Sequence, residues 1–208
     1  MPIHLHSIPT LFMCFIVFIL CVQVKIKRSS KTPTWDAAFW RKEKEANFAR
    51  KKDISQLPYL DLDRTKLPFQ DNAADRILDC QKEVEQIILH PMLNLHGMSN
   101  ADIKLQYGVA NFEFLSACDQ NYVRLLRSLN TWGQTLYELA DLTRSRQVLE
   151  YAVELGSDLT KTYITLAHIY AEQNEIDKVQ ELIRQLEDSD SLLKDSAIRE
   201  LTMLIQKY

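Results

Sequence analysis

The sequence predicts an all-α chain, an N-terminal transmembrane helix followed by an antiparallel array of helices. Three observations carry this expectation. Residues Ile8 to Val24 (IPTLFMCFIVFILCVQV) form one uncharged apolar run. Four glycines and six prolines in 208 residues are too few for a β-sandwich or a Rossmann fold. From Asn72 onward, apolar residues recur at helical spacing and short polar turns interrupt them.

The apolar run rises about 25 Å as a helix of roughly 17 residues, close to a bilayer core of about 30 Å. No Lys or Arg precedes it, whereas Lys25, Lys27, Arg28 and Lys31 follow it. Basic residues stay on the cytoplasmic side. The expected placement is therefore the cell membrane, single-pass, with the N-terminus outside and the C-terminal domain cytoplasmic. A cleaved signal peptide would need a basic n-region and a small-residue cleavage site, and neither is present. Met13 and Leu20 stand before Cys14 and Cys21, where a lipidated cysteine needs a small residue. A buried core helix is the remaining alternative.

Residues 25–52 form a basic juxtamembrane segment, partly helical. It carries ten basic and three acidic residues, and the rest of the chain has a net charge of -10. Anionic lipid would attract such a segment. Trp35 to Lys52 reads as a charged amphipathic helix, with Trp35, Phe39, Trp40 and Phe48 as interface anchors or packing residues. Beyond those four residues the basic stretch has no aromatic interleaving of the kind expected for nucleic acid, so no nucleic-acid partner is expected.

Residues 53–70 contain Pro58 and Pro68, which exclude a continuous helix. Free linkers seldom carry as many apolar groups as Ile54, Leu57, Tyr59, Leu60, Leu62, Leu67 and Phe69. The segment is expected to lie extended against the helical domain, in competition with any ligand of its groove.

Residues 71–208 read as helix and turn. Helices are expected over Asn72 to Leu93, Ala101 to Ala117, and Asp119 or Gln120 to Leu139. Further helices run from Leu142 to Leu155, Leu159 to Glu172, Asn174 to Leu186 and Leu192 to Lys207. Ser99 or Asn100, Ser157-Asp158 and Asp190-Ser191 are the expected caps.

The later helices repeat with a period of about 34 residues. In the unit beginning at Leu126, Leu129 takes the fourth place, Trp132 the seventh, Gly133 the eighth and Leu136 the eleventh. Ser145, Leu149 and Ala152 take the twentieth, twenty-fourth and twenty-seventh. In the unit beginning at Thr160 the matching residues are Tyr163, Leu166, Ala167, Tyr170, Val179, Ile183 and Leu186. Small residues at the eighth and twentieth places let paired helices approach closely. This order resembles the tetratricopeptide repeat (TPR) over about Leu126 to Ser191. Ser157 and Ser191 stand where that repeat usually has Pro, and Val179 and Leu186 replace its usual Ala. The stretches Asn100 to Gly108 and Asp53 to Tyr59 also resemble uncharacterised bacterial single-span membrane proteins with such repeats.

The resemblance implies that the second, fifth, ninth and twelfth places of each unit line a concave groove. Those residues are Arg127, Asn130, Gln134 and Tyr137, then Lys161, Ile164, His168 and Ala171. The first seven are the candidate partner-binding residues, and Arg127, Asn130 and Lys161 suit a carboxylate or an acidic motif.

Nothing in the sequence points to catalysis. It contains no Gly-rich phosphate loop and no G-x-S-x-G turn. Cys80, Cys118 and the histidines have no zinc spacing. His168 and Glu172 are placed to pair on a helix surface. No enzyme activity, metal, cofactor or small-molecule substrate is expected. The functional expectation is a membrane-anchored protein–protein interaction scaffold that recruits a protein or peptide partner. The alternative is a structural subunit of a larger membrane complex without peptide capture.

Overall fold

A computed structural model of the chain describes residues 13, 15–20, 22, 23, 34–189 and 191–208. These residues are all-helical, with no strand among them, and their helices pack against one another in a way compatible with a helical-repeat fold. The expected membrane span is corrected. Among the described residues, no helix is long and apolar enough to cross a membrane. Of the run 8–24, the described residues 13, 15–20, 22 and 23 are helical, and the rest lies outside the described residues. The physical reason is length: a span needs about 20 consecutive apolar residues. The single-pass placement in the cell membrane, with its cytoplasmic domain, falls with the span. Residues 25–33 of the basic segment also lie outside the described residues.

The chain divides into two compact units, Met1–Lys51 with Ser99–Ala110, and Lys52–Met98 with Asn111–Tyr208. In the first unit, α1 (Thr34–Ala46) packs on α3 (Asn100–Tyr107). Ala46, Ala101 and Ile103 are buried there. Lys42 pairs with Asp102 at 2.7 Å, and Lys104 with Glu43 at 3.5 Å. Ser99 caps α3 in a capping box with Asp102. The Lys42 ammonium and the Ser99 hydroxyl lower the Asp102 carboxyl to about 2.

Helix α1 ends six residues before the expected Lys52 because the following backbone is bonded elsewhere. Val109 N–H donates to the Ala49 carbonyl. Gly108 sits at φ 92° with its α-carbon against Arg50, where a Cβ would lie 2.3 Å from the Arg50 carbonyl oxygen. Only glycine fits such a close approach at positive φ. Gly108 also ends α3, well short of Ala117.

In the second unit, helix α4 (Phe112–Glu138) runs through Asp119, near which a break between two helices was expected. It packs against α2 (Asp75–Ile87) and α5 (Leu142–Glu154). Helices α4, α6 (Thr160–Glu172) and α8 (Lys194–Lys207) form one row, with α5 and α7 (Ile176–Glu187) packed against it. Two apolar clusters fill the unit, one around Trp132 and Leu129, the other around Leu166, Ile169 and Leu201.

Turn geometry recurs along this array. Ala140 and Asn174, 34 positions apart, hold φ of 61° and 59°. At the first turn, Asp141 N–H bonds the Leu136 carbonyl and Ala140 N–H that of Tyr137. At the second, Glu175 bonds Tyr170 and Asn174 bonds Ala171. Both are Schellman ends, in which a left-handed residue satisfies the last carbonyls of a helix.

The segment 53–70 crosses this unit as a strap, extended except for one tight turn at Arg64–Lys66. Leu67 is 5% exposed within the first cluster, and Leu60, Leu62 and Phe69 pack against it. Tyr151 Oη accepts from Asp63 N–H at 2.9 Å. Gln81 holds both backbone groups of Gln70, at 3.0 and 2.8 Å. Phe69 lies 5.1 Å from the Trp132 ring.

Candidate functional site

Packing decides which α4 residues are free for a ligand. Leu126, Leu129, Trp132, Gly133 and Leu136 are buried against α5 and α2. The adjacent stripe of α4 carries Arg127, Asn130, Gln134 and Tyr137. On α6, Tyr163, Leu166, Ala167 and Tyr170 turn inward. The adjacent stripe there carries Lys161, Ile164 and His168.

The two stripes lie side by side. Thr162 Oγ1 donates to Asn130 Oδ1 at 3.1 Å, and Tyr137 Oη donates to Glu172 at 3.2 Å. Gln134 Nε2 donates to the same Asn130 oxygen at 3.1 Å. Asn130, Gln134 and Tyr137 therefore already tie the array together. Arg127 and Lys161 are exposed, and among the described residues neither side chain has an ion pair or hydrogen bond. Ile164 is half-buried against the second cluster. His168 is half-buried as well. Glu172 bonds Tyr137 across the row, not His168 as expected. Burial, with the Glu172 charge beside it, raises the Tyr137 hydroxyl above its ordinary range.

Arg127 also borders a cavity of about 410 Å³ that sequence reasoning missed. Its walls include Tyr122, Leu126 and Tyr163, with Asn94, Asp119 and Asp158 at polar positions. Tyr122 Oη donates to the Leu155 carbonyl at 2.7 Å and accepts from Asn94 Nδ2 at 3.2 Å. Tyr163 Oη donates to the Ser157 carbonyl at 2.9 Å. Burial raises both phenols, and the Asp158 carboxylate adds to this. Asp119 accepts from Leu95 N–H at 3.0 Å. These loops meet only in the folded chain. The sequence signals were Arg127 and Tyr163, at the second and fourth places of their units.

The strap does not enter this stripe. Its hydrogen bonds run to α2, α5 and the segment before α3, and among the described residues none reaches Arg127, Asn130, Gln134 or Tyr137.

Among the described residues, no group of three or more His, Cys, Asp or Glu side chains is placed to hold a metal ion. Cys118 is fully buried, Cys80 is half-buried, and both are free thiols raised by burial. The arrangement offers cations, amides and a cavity of mixed polar and apolar lining, a combination suited to binding. No family model matches the chain, and neither a curated protein nor a solved structure is significantly similar to it.

Proposed function

We propose that the second unit is a TPR-like array of two full repeats that serves as a protein–protein interaction module. An extended peptide of a partner protein would lie along the α4–α6 stripe, with one end in the adjacent cavity. The observation that carries this reading is the pair of unbonded cations on neighbouring helices, Arg127 at the edge of that cavity and Lys161 on α6. The recurrence of the Ala140 and Asn174 turns supports the repeat assignment. A cavity of about 410 Å³ falls within the range of ligand pockets.

The test is affinity capture from a native extract with wild type and with an Arg127→Ala, Lys161→Ala double variant. Partners held by the wild type should be lost from the variant, while circular dichroism stays unchanged. Retention of every partner by the folded variant would reject peptide capture through this stripe.

A second reading is a structural subunit without peptide capture. Leu192, Leu193, Met203 and Tyr208, near or on α8, are 60% exposed or more, which favours it. In that case Met203→Ser would release the partners and the stripe variant would keep them.

A further inference from the structure

We propose that the first unit docks on an anionic lipid surface through the aromatic and basic side chains of residues 39–51. This contact lies in the plane of a headgroup layer and involves no spanning helix.

The inward side of α1 is already committed. Ala46 is fully buried, and Lys42 and Glu43 are paired across to α3. What remains outside is unusual for a helix with a packed partner. Phe39 is 51% exposed, Trp40 66% and Phe48 78%. Phe39 and Trp40 meet edge to face at 5.4 Å, so they form one patch. Large aromatic groups gathered in water mark a contact surface when charged residues rim them.

The rim has one dominant sign. Arg41, Lys44, Arg50 and Lys51 are exposed, and among the described residues none of them has an ion pair. Two acids of this unit, Glu43 and Asp102, are neutralised internally by Lys104 and Lys42. The free charge of the surface is therefore positive, with Glu45 as its one exposed acid between Phe39 and Lys51.

Charge complementarity selects a negative partner, and the aromatic groups narrow the choice further. Trp and Phe partition into the headgroup region, where the ring is apolar and the indole N–H stays wet. Lys and Arg beside them are attracted to anionic headgroups within a Debye length. A single-stranded nucleic acid would use the same cations with the rings as stacking platforms. Phe39 and Trp40 stand nearly perpendicular to each other, so they do not offer the parallel platforms on which successive bases stack.

The test uses the full chain and co-sedimentation with phosphatidylcholine vesicles, with and without phosphatidylglycerol. Binding should require phosphatidylglycerol and weaken as salt rises. Arg41→Ala with Lys44→Ala should weaken it about tenfold or more, from about 1 kcal/mol per cation. Trp40→Ala should weaken it at both salt levels. Trp132 is fully buried, so a blue shift of emission on vesicle addition reports the exposed tryptophan side. That shift should shrink in Trp40→Phe, which still binds. Leu89→Ser, at an exposed position of the other unit, should change nothing. The proposal is overturned by binding that ignores phosphatidylglycerol, or by full binding of the Arg41/Lys44 and Trp40→Ala variants. Binding of a single-stranded oligonucleotide that Trp40→Ala abolishes, with vesicle binding intact, also overturns it.

Discussion

Gly133 is a point of closest approach in the array. A Cβ at this position would lie 2.4 Å from a Leu149 methyl and 2.5 Å from its branch carbon. Ser145, fully buried opposite, donates to the Gly133 carbonyl at 2.7 Å. Alanine is ordinarily the better helix former by about 1 kcal/mol. Here Gly133→Ala should instead lower stability by about 1–2 kcal/mol net, read as a lower urea midpoint, because overpacking outweighs propensity. Ala140 presents the opposite case. A left-handed alanine is strained by about 1–2 kcal/mol, and glycine returns part of that gain by its freedom in the unfolded chain. Ala140→Gly should raise stability by about 0.5–1 kcal/mol, visible as a higher melting midpoint. Asp102 gives a pH signature. Its folded pKa of about 2 lies below the ordinary 3.8, so its contribution is full above 3.8. That contribution is lost as pH falls towards 2. Hydrogen exchange of α3 should show wild type more protected than Asp102→Asn at neutral pH, with the difference vanishing through this window.

At the scale of elements, the strap carries more of the fold than its lack of helix suggests. Leu67→Ala should destabilise the second unit by about 2–4 kcal/mol, measured by urea unfolding, since its side chain is buried among α2, α4 and α5. The strap's prolines and apolar residues were legible in the sequence, as was its contact with a helical domain. The helices of the array were legible too, because their apolar period reports one buried face and the face beside it. Their ends fell within a few residues of those expected. What failed depended on distant backbone. The break expected near Asp119 is absent, because Leu115, Cys118 and Tyr122 bury one continuous face. The real break is at Gly108, fixed by Arg50 nearly sixty residues earlier. The site divided in the same way. Arg127 and Lys161 were named as candidates from periodicity, whereas Asn94 and Asp158, on loops, and Asp119, on α4, are brought to the cavity by packing that no local pattern relates.

At the scale of the molecule, each helix pair of the array buries its apolar face against a neighbour, and α8 closes the array. Leu201→Ala on α8 should cost about 2–4 kcal/mol and loosen α6 and α7 together, which hydrogen exchange resolves. The two ends of the array are finished differently. At the C-terminal end α8 shows Ser196, Arg199 and Glu200 to solvent, with Met203 among them. At the other end, Trp132 and Tyr151 meet Phe69 and the backbone of Asp63. A stack whose two ends both stay open propagates head to tail, since such contacts do not close. Together with α2, the strap covers the apolar face at the Trp132 end. Phe69→Ser should let water reach that face, and tryptophan emission should then shift to the red relative to wild type.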